Sequence, residues 1–323
     1  MVIDLTRVFP DMERFETLRA YGATLRVEPE DRPLPRARLL EQIRDVDILV
    51  CTLAERVDEA LLARAPTLKL VSTYSVGYDH LDLTALRARG VWATHTPDVL
   101  TDATADLAWA LLLAAARWVV PADRFVRAGR FQGWEATGFL GMELKGKTLG
   151  IVGAGRIGQA VARRAPGFGM QVVYTSRRRK PELEERLGAR FLDLDALLRE
   201  ADVVSLHVPL TPETHHLLNR SRLMKMKAGA ILINTARGPV VDERALVEVL
   251  RSGHLFAAGL DVYEREPEVE AALMQMENVV LLPHLGSATR DTRGRMTAAV
   301  VESVRSFLEG ERPPRHTIPE MRP

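Results

Sequence analysis

A chain of 323 residues has room for about two domains at ~150 residues each. Its 46% apolar and 27% charged residues match an ordinary globular protein that can bury sizeable cores. Forty-four basic residues against 43 acidic leave a net charge of +1, with no electrostatic footprint for nucleic acid or an anionic membrane, and a single cysteine excludes an internal disulfide and a thiolate zinc site.

In chain order, the first hundred residues alternate short apolar runs with helical patterns. The runs at 2–8, 23–27, 47–51, 68–73 and 91–94 predict strands. Segments 12–21, 35–44, 58–65 and 83–89 predict helices, with Pro35 and Gly90 placed as a helix start and stop. The opening residues lack the basic and long apolar regions of a signal peptide, so a cytoplasmic protein is expected. Cys51, inside Asp-Ile-Leu-Val-Cys, reads as a small buried hydrophobe. The stretch 107–120 is broken by Arg117 and falls short of ~20 spanning residues, so it predicts a buried Ala/Leu-rich helix.

A second alternating series begins at Lys147, with strands predicted at 148–152, 171–175, 203–207, 230–234, 257–260 and 279–282. Continuous β runs separated by helices argue for parallel sheets covered on both faces, and six of them suit a doubly wound dinucleotide fold. The expected class is α/β, with two doubly wound parallel-sheet domains: a flavodoxin-like substrate domain and a Rossmann dinucleotide-binding domain. The helical segment 288–308 follows the sixth strand and has no role within that set. It is expected to return to the N-terminal unit, giving a substrate domain of residues 1–98 and 288–323 and a dinucleotide domain of residues 99–287. Residues 311–323, rich in Pro and Arg, are expected to form an extended surface end.

Gly153-Ala-Gly155-Arg156-Ile157-Gly158 follows the strand Thr-Leu-Gly-Ile-Val and opens a helical pattern. Alone such a motif is weak; the strand before, the helix after and five further β runs give it weight over a merely tight turn. Gly153 would make the turn, Gly155 would let the backbone approach a pyrophosphate, and Gly158 would let the helix lie close to the sheet. The N–H groups at the helix start, from Arg156 and Ile157 onward, would hold the phosphates. An NAD site usually carries Asp or Glu ~20 residues after the first Gly. Here Ser176-Arg177-Arg178-Arg179-Lys180 occurs instead, with no carboxylate until Glu182. Arg and Ser suit a 2′-phosphate, so NADP is the favoured cofactor, NAD the second choice, and a solvated basic loop the bland alternative.

Three predicted strand ends carry chemistry: Asn234-Thr-Ala-Arg237-Gly, Gly259-Leu-Asp261-Val-Tyr-Glu-Arg-Glu266-Pro and Leu282-Pro-His284-Leu-Gly. Ligands of doubly wound folds bind in the crevice beyond such ends. Arg237 can hold a substrate carboxylate through its planar fork. His284 can protonate a carbonyl oxygen as hydride arrives, and a neighbouring carboxylate, Glu266, would favour its protonated form. Singly, each residue is commonly structural; their coincidence at three successive strand ends is the signal. No metal is expected: His207 belongs to a strand end, and the adjacent pair His215-His216 cannot point one way on a helix.

Together with Val76-Gly-Tyr-Asp-His, Thr96-Pro-Asp-Val-Leu-Thr-Asp-Ala-Thr-Ala-Asp and His207-Val-Pro-Leu-Thr-Pro, these segments make nearly the whole chain resemble the D-isomer-specific 2-hydroxyacid dehydrogenase family, above all its glyoxylate/hydroxypyruvate reductases. The resemblance implies NAD(P)H-dependent reduction of a small 2-keto acid to the D-2-hydroxy acid, with Arg237, Glu266 and His284 catalytic. It implies that the Val76 and Gly77 N–H groups meet the substrate carboxylate and that Leu53 and Trp134 shape the pocket. Thr104, Pro209, Thr235, Asp261 and Gly286 would line the nicotinamide side, with Asp261 facing the carboxamide and His207 and Thr214 also in the cofactor site. A homodimer built on residues 100–120 is implied as well. A D-glycerate or phosphoglycerate dehydrogenase, and a non-catalytic dinucleotide sensor or corepressor on the same scaffold, stay open as alternatives.

Overall fold

The computed structural model describes residues 1–322, and the chain forms two compact units, Met1–Leu100 with Ser287–Pro323 and Thr101–Gly286. Pro323, which closes the expected C-terminal end, lies outside the described residues.

In the first unit β1 (Val2–Leu5), β2 (Thr24–Val27), β3 (Ile48–Cys51), β4 (Leu70–Thr73) and β5 (Trp92–Thr94) form a parallel sheet ordered β2-β1-β3-β4-β5. β3 and β4 are buried at every position, as central strands covered on both faces must be, so their sequences show no alternation. Asp58 and Asp82 start the helices Glu59–Leu62 and Leu83–Ala88 by accepting the N–H groups of Leu61 and Ala85. The helix Arg290–Leu308, capped by Thr289, packs on β4 and on the helix Met12–Glu16. Its buried residues Met296, Val300, Val304 and Phe307 recur at helical spacing.

The expectation of an extended surface tail is corrected here. Thr317 pairs with Thr94 in an antiparallel bridge, and the Ile318 N–H donates to the Ala93 carbonyl at 3.0 Å. Ile318 and Met321 are buried in the core with Leu86 and Ala93. An open sheet edge at β5 offers unpaired backbone groups, and the tail satisfies some of them. Pro and Arg dominate the tail's composition and hide its two apolar anchors.

In the second unit seven strands form a parallel sheet: β6 (Thr148–Val152), β7 (Gln171–Thr175), β8 (Arg190–Phe191), β9 (Val203–Leu206), β10 (Ala230–Asn234), β11 (Leu255–Leu260) and β12 (Val279–Leu281). Their order, β12-β11-β10-β9-β6-β7-β8, reverses direction between β6 and β9. β8 is absent from the sequence-based expectation because it has two residues, both exposed, and so no readable period. The expected helix across 107–120 is also corrected: it spans Thr101–Ala116, and a second helix, Val119–Arg127, follows Trp118 in the left-handed region at φ 55°. The chain at Met142 takes the Ala116 carbonyl by an N–H bond of 2.8 Å, so the break has a partner that the sequence does not reveal. Among the described residues no single helix is long and apolar enough to cross a membrane.

Replacing Ile318 by Ala should lower the stability of the first unit by about 2–4 kcal/mol, the usual range for emptying a core site, read as a drop in the denaturant midpoint. A shift within about ±0.5 kcal/mol, typical of a surface residue, would mean that the tail does not pack as described.

Candidate active site

β10, β11 and β12 are neighbours in the sheet, so their carboxyl ends lie side by side. Arg237 follows β10, Glu266 follows β11 and His284 follows β12, and all three belong to the second unit. Nδ1 of His284 lies 2.9 Å from Oε2 of Glu266, and the other carboxylate oxygen accepts the Tyr263 N–H at 3.0 Å. Burial works against the Glu266 anion. The bond and charge of His284, the Tyr263 N–H and the charge of Arg237 outweigh it and hold the carboxyl below its ordinary range. With Nδ1 committed to Glu266, Nε2 is the ring atom left for a reacting group.

The turns that carry these side chains are braced from beneath. Asn234 accepts the Ala236 N–H and donates to the Arg237 carbonyl, both at 3.0 Å, which fixes the turn after β10. Gly238 lies so close to the turn after β11 that a Cβ would come 1.8 Å from the Tyr263 carbonyl. Asp261 accepts the N–H groups of Leu285 and Gly286 at 2.6 and 2.8 Å. Burial pushes its carboxyl up to about 6, outweighing those two bonds and the charge of His284. Thr104 donates to the Gly286 carbonyl at 3.0 Å, so Thr104, Asp261 and Gly286 form one cluster. Asn234 and Tyr263 are absent from the sequence-based expectations. The only signal was their place at or just past a strand end.

The glycine motif has the form that a pyrophosphate needs. Gly153 turns at φ 96°, a conformation that suits glycine, and a Cβ there would meet the His207 carbonyl at 2.6 Å. A Cβ on Gly158 would come 2.1 Å from the Gly153 carbonyl, so the helix Arg156–Arg164 can lie this close only without one. At Gly155, where that helix starts, a Cβ would meet nothing within 4 Å, which leaves a cradle beside the N–H groups of Arg156, Ile157 and Gly158. The buried hydroxyl of Thr235 has no protein partner. An open cradle and an orphaned hydroxyl fit a dinucleotide.

Other residues predicted for the cofactor stand past β7 and β9 of the same unit. His207 follows β9, its Nε2 lies 2.8 Å from the Ser205 hydroxyl, and burial pushes its pKa down to about 3, so the ring is neutral. Thr214 donates to the Pro209 carbonyl at 2.6 Å and accepts the Thr211 N–H, which closes the 209–214 turn. After β7, Ser176 donates to the Arg178 carbonyl, and the side chains of Arg177 and Arg178 are exposed. Arg179 is paired with Glu184, which also accepts the Tyr174 hydroxyl.

Not every predicted residue gathers here. Leu53, Val76 and Gly77 belong to the first unit, just beyond β3 and β4. Trp134 is 87% exposed and lines a cavity of about 740 Å³ with Arg117, Leu140 and Phe168, a set that includes none of Arg237, Glu266 and His284. The structure also corrects the geometric argument about the histidine pair. His215 and His216 lie in a turn rather than a helix, with rings stacked 4.1 Å apart, because His216 takes φ 47° and its Nε2 reaches Glu264 at 2.9 Å.

Comparison with known proteins matches residues 109–286 to the family model described as D-isomer specific 2-hydroxyacid dehydrogenase, NAD binding domain. The chain is 54% identical over 284 residues to the glyoxylate reductase of Thermococcus litoralis, covering 87% of this chain and 86% of that one. A crystal structure of a Thermus thermophilus protein superposes with a TM-score of 0.92 at 50% identity, over 98% of this chain and 100% of the other. The NADPH-dependent glyoxylate/hydroxypyruvate reductase of Sinorhizobium meliloti, solved with NADP and malonate, superposes with a TM-score of 0.86 at 34% identity, over 99% and 97% of the two chains.

Proposed function

The chain belongs to the D-isomer-specific 2-hydroxyacid dehydrogenase family, and from that premise we propose that it reduces glyoxylate or hydroxypyruvate to the 2-hydroxy acid, of D configuration where the product is chiral. The observation that carries the reading is the His284–Glu266 pair within the field of Arg237, at three adjacent strand ends of a dinucleotide fold. Residues 99–287 form the dinucleotide domain in this reading, and residues 1–98 with 288–323 the substrate domain.

A bound nicotinamide dinucleotide supplies the hydride. Arg237 supplies the cation for the substrate carboxylate, and the family resemblance assigns the Val76 and Gly77 N–H groups to the same substrate. As the carbonyl carbon takes the hydride, the oxygen gains charge and receives the Nε2 proton of His284. Glu266, ionised through the neutral range, stabilises the protonated ring and fixes its orientation through Nδ1. Thr104, Thr235, Asp261, Gly286, His207, Pro209 and Thr214 line the cofactor side, with Thr235 offering a hydroxyl not engaged by the protein. Leu53 limits substrate size from the first unit. We place the reaction in the cytoplasm, in keeping with a lone, buried cysteine.

We favour NADPH over NADH. Arg177 and Arg178 are exposed beyond β7, and the acid nearest in sequence, Glu182, pairs with Arg186 at 3.2 Å. We also favour a homodimer. The region implied for it, residues 100–120, holds the helix Thr101–Ala116, which turns Ala105, Trp109, Leu112 and Ala116 into its own unit and leaves Asp106 and Ala110 exposed. Exposed large apolar side chains follow at Val119, Val126, Phe131, Trp134 and Leu140. So many large apolar side chains on one stretch call for a cover, and Trp134 belongs to that face.

Three outcomes follow. Steady-state assays should show NADPH oxidation dependent on glyoxylate or hydroxypyruvate. In Glu266→Gln the charge that stabilises the protonated ring is gone, so kcat for reduction should fall by about tenfold or more, the value of a charged hydrogen bond, while the Kd for NADPH holds. No turnover of any 2-keto acid would return the chain to a dinucleotide-binding role without catalysis. Exchanging Arg177 and Arg178 together for Ala should lower kcat/KM for NADPH by roughly tenfold or more, the value of a charged hydrogen bond, and leave NADH use almost unchanged. Equal kcat/KM for the two cofactors in the unaltered protein would refute the preference. Val126→Asp combined with Leu140→Asp should convert a dimer to a monomer in sedimentation equilibrium; a monomeric parent protein would remove the dimer from the reading.

A further inference from the structure

We infer that His95, held in place by the C-terminal segment 316–320, is a positioning residue that aims the Val76 and Gly77 N–H groups at the substrate carboxylate. The inference rests on the reading above, in which those two N–H groups bind the keto acid.

The argument begins with the peptide plane. In a trans peptide the C=O of one residue and the N–H of the next point in opposite directions, so whatever fixes the carbonyl also aims the N–H. The Ser75 carbonyl accepts the Thr96 N–H at 2.9 Å, which turns the Val76 N–H the other way. The Val76 carbonyl lies 3.0 Å from Nδ1 of His95, the ring atom that donates to it, which turns the Gly77 N–H the other way. The Gly77 carbonyl in turn accepts the Ser75 hydroxyl at 2.5 Å. Three successive carbonyls are therefore tied to the protein. Among the described residues neither the Val76 nor the Gly77 N–H meets a protein acceptor, and both residues are only partly buried. Two adjacent, fixed and unengaged N–H groups make an anion cradle.

Two of the ties come from one place, residues 95 and 96 just beyond β5. That stretch is itself held by the C-terminal segment. The His95 N–H donates to the His316 carbonyl at 3.1 Å, Thr94 bridges Thr317, and the Ile318 N–H donates to the Ala93 carbonyl. Glu320 accepts the Tyr78 hydroxyl with both oxygens at 3.0 Å, and the Tyr78 ring meets the His95 ring edge-on at 5.5 Å. Arg87 also donates to the Glu320 carbonyl. The segment thus grips both sides of the cradle: residues 93–96 behind it and Tyr78 at its end. Burial lowers the pKa of His95, so the ring is neutral, with its one N–H committed to Val76.

The test separates this role from general stability. His95→Phe keeps an aromatic edge for Tyr78 and loses the donor; His95→Gln keeps a donor. At saturating NADPH, His95→Phe should raise the KM for glyoxylate by about tenfold, as expected for one lost hydrogen bond, with kcat within about twofold. His95→Gln should recover most of that loss. Tyr78→Phe, which cuts only the tie to Glu320, should raise KM by about two- to threefold. The Kd for NADPH should stay constant in all three, and calorimetric titration of the NADPH complex with oxalate, which cannot be reduced, should weaken in step with KM. A glyoxylate KM and oxalate Kd unchanged in His95→Phe would overturn the inference and leave the function standing. A parent protein that neither reduces glyoxylate nor binds oxalate would overturn both. If His95→Phe does not fold, His95→Gln and Tyr78→Phe decide, and parental oxalate binding in Tyr78→Phe rejects the role of the segment.

Discussion

The buried carboxylate of Asp261 is the constraint on which the proposed catalytic edge depends. Its two oxygens take the N–H groups of Leu285 and Gly286, and its own backbone carbonyl takes that of His284. Without the side chain, two of these N–H groups would be left unpaired in or near the protein interior, a loss that few turns tolerate. With it, His284 is held at φ 56°, a left-handed conformation that a non-glycine residue adopts only when its surroundings impose it. That conformation presents Nδ1 to Glu266. Asp261 was expected to face a carboxamide; it also builds the turn on which the proposed acid sits.

The same economy governs charge across the second unit. Glu184 takes both the Arg179 guanidinium and the Tyr174 hydroxyl, so one exposed arginine of the basic run is tied to the fold, and Glu184 leaves the exposed Arg177 and Arg178 unengaged. Glu266 is engaged more lightly, by one ring nitrogen, one backbone N–H and the field of Arg237. Such a carboxylate can follow the protonation state of its histidine, which one locked in a bidentate arginine pair could not.

Much of this was readable from residues alone, for identifiable reasons. Parallel strands buried on both faces leave continuous apolar runs, and Ile-Leu-Val-Cys or Ala-Ile-Leu-Ile-Asn announce themselves. Arg237, Glu266 and His284 were legible as a set because each stands just past such a run. What the sequence concealed was contact rather than periodicity. β8 is too short to show a pattern, and the bond from Met142 to the Ala116 carbonyl that ends the first long helix spans a loop. The Asn234 brace and the stacking of His215 on His216 depend on backbone angles that composition does not encode. The C-terminal segment misled for a different reason: Thr317, Ile318 and Met321 are sparse anchors among prolines and charges, and only the open edge of β5 gives them meaning.

That the first unit is assembled from two separated stretches of chain has a consequence for synthesis. Residues 1–100 leave the ribosome first, but the helix Arg290–Leu308 and the segment that pairs with β5 come only after the whole of Thr101–Gly286. At about 5–20 residues per second, the N-terminal stretch waits roughly 10–40 s with its β5 edge and part of its core uncovered. The second unit, continuous in sequence, has all its strands in hand before that wait ends. The order of emergence therefore makes the dinucleotide-binding half the first to close, while the nascent N-terminal half is the part that a chaperone would need to shield.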